Sequence, residues 1–329
     1  MSEEAQELEV PAAAAGERLD RFLAGQLGLP RNQIQGWIRA GRVAVGGTPA
    51  RASRLLEAGE RLRYTPLERS QEGRVEAEPG ELAVLYEDAS LVVLDKPAGL
   101  VVHPGAGRGS GTLAHFLLGR YPEMAGVGGA GRPGIVHRLD LGTSGLLLVA
   151  RSHEAYLRLS ADFAARRIRK LYLAVAYGVP PAGSGRIEAP IGRHPSRRKE
   201  MTVKSDGRPA ATSYRLLASA RGLSLLALEL HTGRTHQIRV HLKSLGLPLV
   251  GDPVYGEARW RGLEKALESP LKSFSRPALH AWQLRLAHPQ DGRPLAFTAP
   301  PPADLEELWR RISGEPLAMV LARSPEVWP

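Results

Sequence analysis

The chain has 329 residues, 44 Lys and Arg against 34 Asp and Glu, a formal charge of +10 and no cysteine. This length is ample for a buried core and allows a small domain beside a large one, while the missing cysteine excludes disulfides, thiolate catalysis and Cys-ligated zinc. The surplus of cations favours a polyanionic partner, because each Lys or Arg set near a phosphate releases a condensed counterion; with an acidic, polar N-terminus and no apolar run long enough for a bilayer, a cytoplasmic protein without membrane contact is expected.

In chain order, residues 1–15 are acidic and then Ala-rich, which suggests a flexible arm. Residues 16–65 form a compact module. Leu19, Phe22, Leu23 and Leu27 repeat at helical spacing, Ile34, Trp37 and Ile38 do so again, and Gly41 stops the second helix. Val43–Val45 and Arg61–Tyr64 read as short strands, with a Gly46-Gly47 turn after the first. Arg31, Arg39 and Arg42 lie on or beside the second helix. A basic face there suits an RNA grip and suits a solvated helix face equally well. Residues 66–81, rich in Glu, suggest an acidic linker.

A larger domain is expected over 82–313. Leu82–Tyr86, Leu91–Leu94, Leu146–Ala150, Thr212–Leu217, Leu223–His231 and Leu279–Leu286 are strand candidates. Thr112–Leu118 and Ala155–Ala165 read as helices, as does the stripe Ile238, His241, Leu242, Leu245 ending at Gly246; Leu305, Leu308, Trp309 and Ile312 mark a last helix. Over Lys170–Tyr177, alternation puts Leu171, Leu173, Val175 and Tyr177 on one strand face and Tyr172 on the other. Residues 314–329 are a tail without pattern. The elements mix without a regular βαβ rhythm. The fold class is therefore α+β: a mixed, largely antiparallel sheet with flanking helices, plus a small α/β module in front.

Two segments are dense in chemistry. In the first, a short apolar strand, Ile135–Leu139, runs into a polar turn at Asp140 before the strand at Leu146. Rigid strands aim functional side chains at such junctions, although Asp is also a routine turn former. Arg-Leu-Asp occurs a second time at Arg18-Leu19-Asp20, where it reads only as surface charge and core leucine. In the second segment, His231–His241, a strand ends, a Gly turn follows and a helix opens. Helix N-termini favour phosphate or carboxylate. His236 and His241 are not the i, i+4 pair that binds zinc, so no metal site is expected. Arg239, beside the apolar stripe, would be half buried and in want of a carboxylate. The basic clusters Arg166–Lys170 and Arg193–Arg208, the latter with Arg197, Arg198 and Lys199, are more often solvated faces than ligand sites. Few aromatics argue against stacking on a single strand, so a structured RNA held by its backbone fits better.

Val136-His137-Arg138-Leu139-Asp140 with Thr143-Ser144-Gly145-Leu146-Leu147 resembles the signature of the RluA-type pseudouridine synthases. Lys96–Pro104, Lys170-Leu171-Tyr172, Thr232–His241 and Gly251–Gly256 match further family segments in the family's order, and residues 16–65 resemble an S4-like RNA-binding domain. Ala98–Gly107 and the S4-like module look most like the RluD-like members, which act on the ribosomal large subunit. The resemblance implies an enzyme without cofactor or metal that turns uridine into pseudouridine in structured RNA, with 23S rRNA or a large-subunit precursor as partner, working as a monomer. Asp140 would be the nucleophile and Arg239 would hold its charge by a bidentate pair. Tyr172 would stack on the uracil and help remove the C5 proton, and Arg138 would enter the space that the flipped base vacates. His103, Arg234 and His236 would contact RNA, together with Arg31, Arg39, Arg42, Arg197, Arg198 and Lys199. Leu141 and Gly142 stand where the family usually has Lys and an acidic residue. A non-catalytic RNA-binding protein is the first rival reading. A hydrolase or nuclease using His–Asp pairs such as His137 with Asp140 is the second, though residues three apart on a strand face opposite sides.

Overall fold

Residues 5–29, 31–66, 75–105, 109–129, 131–197, 200–256 and 259–324 are described by a computed structural model. It separates into two units, Met1–Gly73 and Arg74–Pro329. In the small unit the apolar stripes of helices α1 (Leu19–Leu27) and α2 (Arg31–Arg39) pack on a sheet of β1 (Gln6–Glu9), β2 (Val43–Val45), β3 (Thr48–Pro49) and β4 (Arg61–Tyr64), ordered β1-β4-β2-β3. Leu19, Phe22, Leu23, Ile34, Trp37, Val43, Val45, Leu62 and Tyr64 form its core, with the Trp37 and Tyr64 rings stacked 6.1 Å apart.

The expected arm over 1–15 is corrected from residue 6 onward. Gln6–Glu9 pairs antiparallel with β4, and Val10 is buried. Without β1, β4 would be an open edge; a short strand that covers it removes unpaired backbone groups.

The large unit holds a nine-stranded sheet. Its elements are β5 (Val84–Glu87), β6 (Leu91–Lys96), α3 (Leu113–Arg120), β7 (Ser144–Ala150), α4 (His153–Ala164), β8 (Arg169–Tyr177), β9 (Ser184–Glu188), β10 (Ile191–Arg193), β11 (Met201–Val203), β12 (Ala211–Ala220), β13 (Leu223–Leu230), α5 (Gln237–Ser244), α6 (Lys265–Ser273), β14 (Leu279–Ala287), β15 (Pro294–Thr298), α7 (Ala303–Ser313) and α8 (Leu317–Ala322). The sheet runs β5-β6-β7-β14-β8-β13-β12-β9, with β15 also on β14 and β10–β11 a separate hairpin. Only β7–β14 is parallel among the described pairings. This is the mixed, largely antiparallel α+β architecture expected.

The central strands are buried on both faces, which is why β7 is apolar after Ser144. On β8, Tyr172, Ala174 and Ala176 face a core shared with α3 and α5, while Leu171, Leu173 and Val175 face one shared with α6, α7 and α8. Three further expectations are corrected. Of the supposed linker 66–81, residues 67–74 lie outside the described residues, and 75–81 belong to the large unit. There Val75 is buried, the Glu78 N–H donates to the His115 carbonyl at 3.1 Å, and the Glu78 carboxylate accepts from the Gly111 N–H at 2.9 Å. The tail contains α8, whose Leu317 and Val320 are buried in the α6–α7 core. Ile135–Leu139 is no strand. Ile135 makes a single bridge to Val149 and the chain then leaves the sheet. Among the described residues no helix is long and apolar enough to cross a membrane.

Candidate active site

Asp140 is placed by its neighbours in the chain. Leu139 is buried in the core, and the Thr143 N–H donates to the Asp140 carbonyl at 3.0 Å, so the turn is closed on both sides. β7 then starts in close register with β14. Gly145 has φ +105°, and a Cβ there would lie 2.2 Å from the Ala281 carbonyl oxygen, so only glycine permits this approach. The side chain of Asp140 projects into a cavity of about 440 Å³.

Helix α5 supplies the guanidinium. Its first residue, Gln237, is tied to β12: its Nε2 donates to the Ala211 carbonyl and the Thr212 hydroxyl, each at 2.9 Å. Its Oε1 accepts from the Thr232 hydroxyl at 2.7 Å and the Arg234 N–H at 3.0 Å. With the helix start so anchored, the buried Arg239 points at two carboxylates. Its Nε and Nη2 each donate to Asp252 at 2.7 Å, and its Nη1 donates to Asp140 Oδ2 at 3.2 Å. The expected bidentate pair with Asp140 is therefore corrected: the bidentate partner is Asp252, and Asp140 receives one N–H. A planar guanidinium offers a two-pronged edge to a single carboxylate and keeps its remaining donor for a second. Asp252 is itself fixed by the N–H groups of Val254 and Tyr255.

Tyr255 completes this wall. Its ring lies 4.8 Å from the Arg239 guanidinium, and its hydroxyl accepts from the Met201 N–H at 2.8 Å. The same hydroxyl is 2.8 Å from His236 Nδ1, and His236 Nε2 is 4.0 Å from Asp140 Oδ1. Burial lowers the pKa of His236 against the pull of Asp140, and the residue sits in the left-handed region at φ 57°. Tyr172 enters from β8. Burial, and then the Asp140 charge, push its hydroxyl pKa well above the usual value, so it stays protonated at neutral pH.

Asp140, Tyr172 and Arg239 thus come together, and Arg138, Arg234 and His236 line the same cavity. His103 and Arg197 are not on that lining, and Arg31, Arg39 and Arg42 belong to the small unit. For His103, Nδ1 is buried without a hydrogen-bond partner among the described residues, and burial with nearby Arg132 and Arg138 brings its pKa to about 4. In the small unit Arg31 is ion-paired with Asp20 at 3.0 Å, Arg39 Nε donates to the Gln35 carbonyl, and Arg42 follows α2. Arg197, between β10 and β11, pairs with Glu200 at 3.1 Å; Arg198 and Lys199 lie outside the described residues.

Four residues of the site carried no role in the sequence reading. Asp252 and Tyr255 belong to a matched segment, but nothing local marks them as partners of Arg239. Lys96 ends β6, buried, its Nζ donating to the Pro97 and Leu100 carbonyls at 2.8 and 3.1 Å. Burial brings its pKa to about 8 against the opposing charge of Asp140. Thr143 is buried on the cavity wall, and its hydroxyl has no partner among the described residues.

A model of the RNA pseudouridylate synthase family matches residues 90–244, and one of the S4 domain matches 17–62. An uncharacterized RNA pseudouridine synthase of Chloroflexus aurantiacus is 48% identical over 309 residues, covering 92% of each chain. The chain belongs to the RNA pseudouridine synthase family. A ribosomal large subunit pseudouridine synthase D of Nitrosomonas europaea is 43% identical over 317 residues, 95% of this chain and 90% of that one. Among solved structures, human RNA pseudouridylate synthase domain containing 1 superposes with a TM-score of 0.56 at 28% identity, over 76% of this chain and 98% of that one. This RNA pseudouridine synthase is therefore an enzyme with an S4 domain in front of its synthase domain.

Proposed function

We propose that this synthase acts on large-subunit ribosomal RNA and that Asp140 is its nucleophile. The substrate reading is supported by the names of relatives such as that of Nitrosomonas europaea, by the S4 domain and by the net charge of +10. One observation carries the role of Asp140. Its Oδ2 rests on Arg239, while Oδ1 has no hydrogen-bond donor among the described residues and its side chain is 18% exposed to the cavity. A carboxylate held on one oxygen and free on the other can attack.

The target uridine must first leave its stack, at a cost of a few kcal/mol. Arg138, which lines the cavity beside Asp140, then fills the gap. Asp140 adds to the nucleotide, forming a covalent bond through one carboxylate oxygen. The N1–C1′ bond breaks, the base turns, and C5 bonds to C1′; the bond to Asp140 breaks to restore the free carboxylate, the C5 proton leaves and N1 takes one up. Asp252 keeps Arg239 from following Asp140, so the guanidinium is preorganised where charge changes during the reaction. Tyr172, kept protonated, offers the uracil a stacking face. Its raised pKa disfavours a phenolate as the base that removes the C5 proton.

The test is tritium release from transcribed 23S rRNA carrying C5-tritiated uridine, with chelator present. The wild type should release tritium and leave the strand intact. Asp140→Asn should release none while binding the RNA within a small factor of wild type. Turnover by that variant refutes the nucleophile. Release only from another RNA class refutes the substrate. A binding protein would release nothing, and a nuclease would cut the chain.

A further inference from the structure

The basic run Arg166–Lys170 does not stay on the surface to its end. Lys170 begins the inward face of β8, on the same side as Tyr172, and both line the cavity. Its Nζ lies 5.2 Å from the centre of the Phe163 ring, and that ring lies 4.8 Å from the imidazole of His137. His137 is half-buried on the cavity wall: its Nε2 accepts from the Leu148 N–H at 2.8 Å, so that nitrogen carries no proton, and burial brings its pKa to about 3. Among the described residues the Lys170 ammonium has no hydrogen-bond acceptor and no ion pair. Burial alone lowers its pKa to about 8. Lys170 is half-buried, and an ammonium partly withdrawn from water without an acceptor costs free energy, of which an aromatic face returns only part.

The cavity gives this cost a purpose. Asp140 is the only carboxylate on its lining among the described residues, and Arg239 already meets that charge. Arg138, Arg166 and Arg234 line it as well, with Arg166 held at φ 59° where α4 ends. The walls therefore keep a positive excess after Asp140 is neutralised. A nucleotide swung out of its helix brings a phosphodiester on either side. We propose that Lys170 is the phosphate contact of this cavity, its ammonium binding a phosphodiester next to the flipped uridine. The inference rests on the reading of this cavity as the place the uridine enters. A compact ammonium on a flexible stem suits one phosphate oxygen, and here it lies two positions along the strand from the residue that would stack on the base.

Affinity for transcribed 23S rRNA, measured over a salt series for wild type, Lys170→Met and Lys170→Arg, tests the contact. Lys170→Met should bind roughly tenfold more weakly, and its log–log salt slope should be shallower by about 0.7, the loss of one phosphate on a single strand. Lys170→Arg should keep both. A pH series adds an independent readout. Besides the arginines, the other titratable groups on the cavity lining are Asp140, Tyr172 and the imidazoles of His137, His231 and His236; burial lowers all three imidazoles and raises the Tyr172 hydroxyl, so no imidazole titrates above neutrality. The wild type should lose affinity as pH rises past about 8, where the free ammonium gives up its proton. Lys170→Arg should not, because a guanidinium stays charged. Wild-type affinity and slope in Lys170→Met overturn the proposal. Lost turnover at an unchanged slope also overturns it, since Lys170 would then touch the uracil. Tritium release by the wild type from the same RNA separates the two readings. Binding without release refutes the substrate, whereas release with an unaltered Lys170→Met slope refutes the contact.

Discussion

Arg-Leu-Asp occurs at Arg18-Leu19-Asp20 and at Arg138-Leu139-Asp140, and the two copies have opposite fates. In both the leucine is core. Asp20, however, is sealed. Its carboxylate accepts from Arg18 Nε and Nη2, from Arg31 Nε and Nη2 and from Gln35 Nε2, at 2.7 to 3.2 Å, and its side chain is 0% exposed. The surface charge expected there is instead a buried strut between α1 and α2. Asp140 takes one donor from Arg239, none from Arg138 among the described contacts, and faces a cavity. An ionised carboxylate has about four acceptor sites. Filling them makes a structural post; leaving the outward pair empty leaves a reagent. The local triplet is the same, and the difference lies in what later segments bring to it.

The comparison breaks most sharply if the two carboxylates respond alike to neutralisation. Asp140→Asn should lower turnover by roughly 10⁴-fold or more, the scale seen when a nucleophile is lost. Its thermal midpoint should stay near wild type, because Arg239 keeps its two bonds to Asp252. Single-turnover tritium release alongside calorimetry checks this; a large loss of stability would make Asp140 a second strut. Next in size is Asp252→Asn. Relieved of its charged partner, Arg239 can close both prongs on Asp140 and fill the oxygen that the reaction needs. Turnover should fall roughly 10²- to 10³-fold with RNA affinity unchanged. A drop in affinity equal to the drop in turnover would mean that Asp252 shapes the RNA surface instead.

How much of this was legible follows from where each signal resides. Strand alternation put Tyr172 opposite Leu171 and Leu173, and the ordered matching segments brought Asp140, Tyr172 and Arg239 into one site before any coordinates. Asp252 escaped because a loop aspartate has no periodicity, and its meaning depends on a helix thirteen residues earlier. Lys170 escaped because four preceding residues, three of them arginine, disguise the first inward position of a strand as a solvated charge run. β1 escaped because its partner, β4, lies more than fifty residues away. Asp20 escaped because its burial is decided by Arg31 and Gln35 on the next helix. Local pattern reports an element and its faces; it does not report which distant group meets them.

Asp20→Asn turns the same test on the small unit. Arg18 and Arg31 are 42% and 49% exposed and can be rehydrated, so the loss should be about 2–3 kcal/mol, that of charge-assisted bonds and not of stranded charges. The pH behaviour has a definite sign. The Arg18 hydrogen bond, opposed by burial and reinforced by Gln35 and Arg31, holds the Asp20 carboxyl well below the usual carboxylate range. Its stabilisation should be complete above the unfolded value of about 3.9 and drain away as pH falls below it. Hydrogen exchange over Leu19–Arg39 in the intact chain reads this out. Equal acid sensitivity in Asp20→Asn and wild type would show that the strut contributes nothing.

The smallest effect expected is at Gly142, and it probes what holds the second triplet open. A Cβ at this position would meet the Pro277 Cδ at 2.6 Å, and the ring cannot give way as a flexible side chain would. The Gly142 carbonyl accepts from Arg276 Nη1 at 3.2 Å, and Arg276 in turn grips Asp304 at the start of α7 at 2.6 and 2.7 Å. The turn after Asp140 is thus pressed against Pro277 and tethered to α7, which leaves no room for a side chain at position 142. Gly142→Ala should cost about 1–2 kcal/mol by overpacking and, by shifting the Asp140 turn, lower turnover several-fold at unchanged RNA affinity. Pro277→Ala in the same chain should recover most of both, a positive coupling between neighbours. If the two losses simply add, the turn is held by something other than this contact, and the openness of Asp140 must be traced to α5 and Asp252 alone.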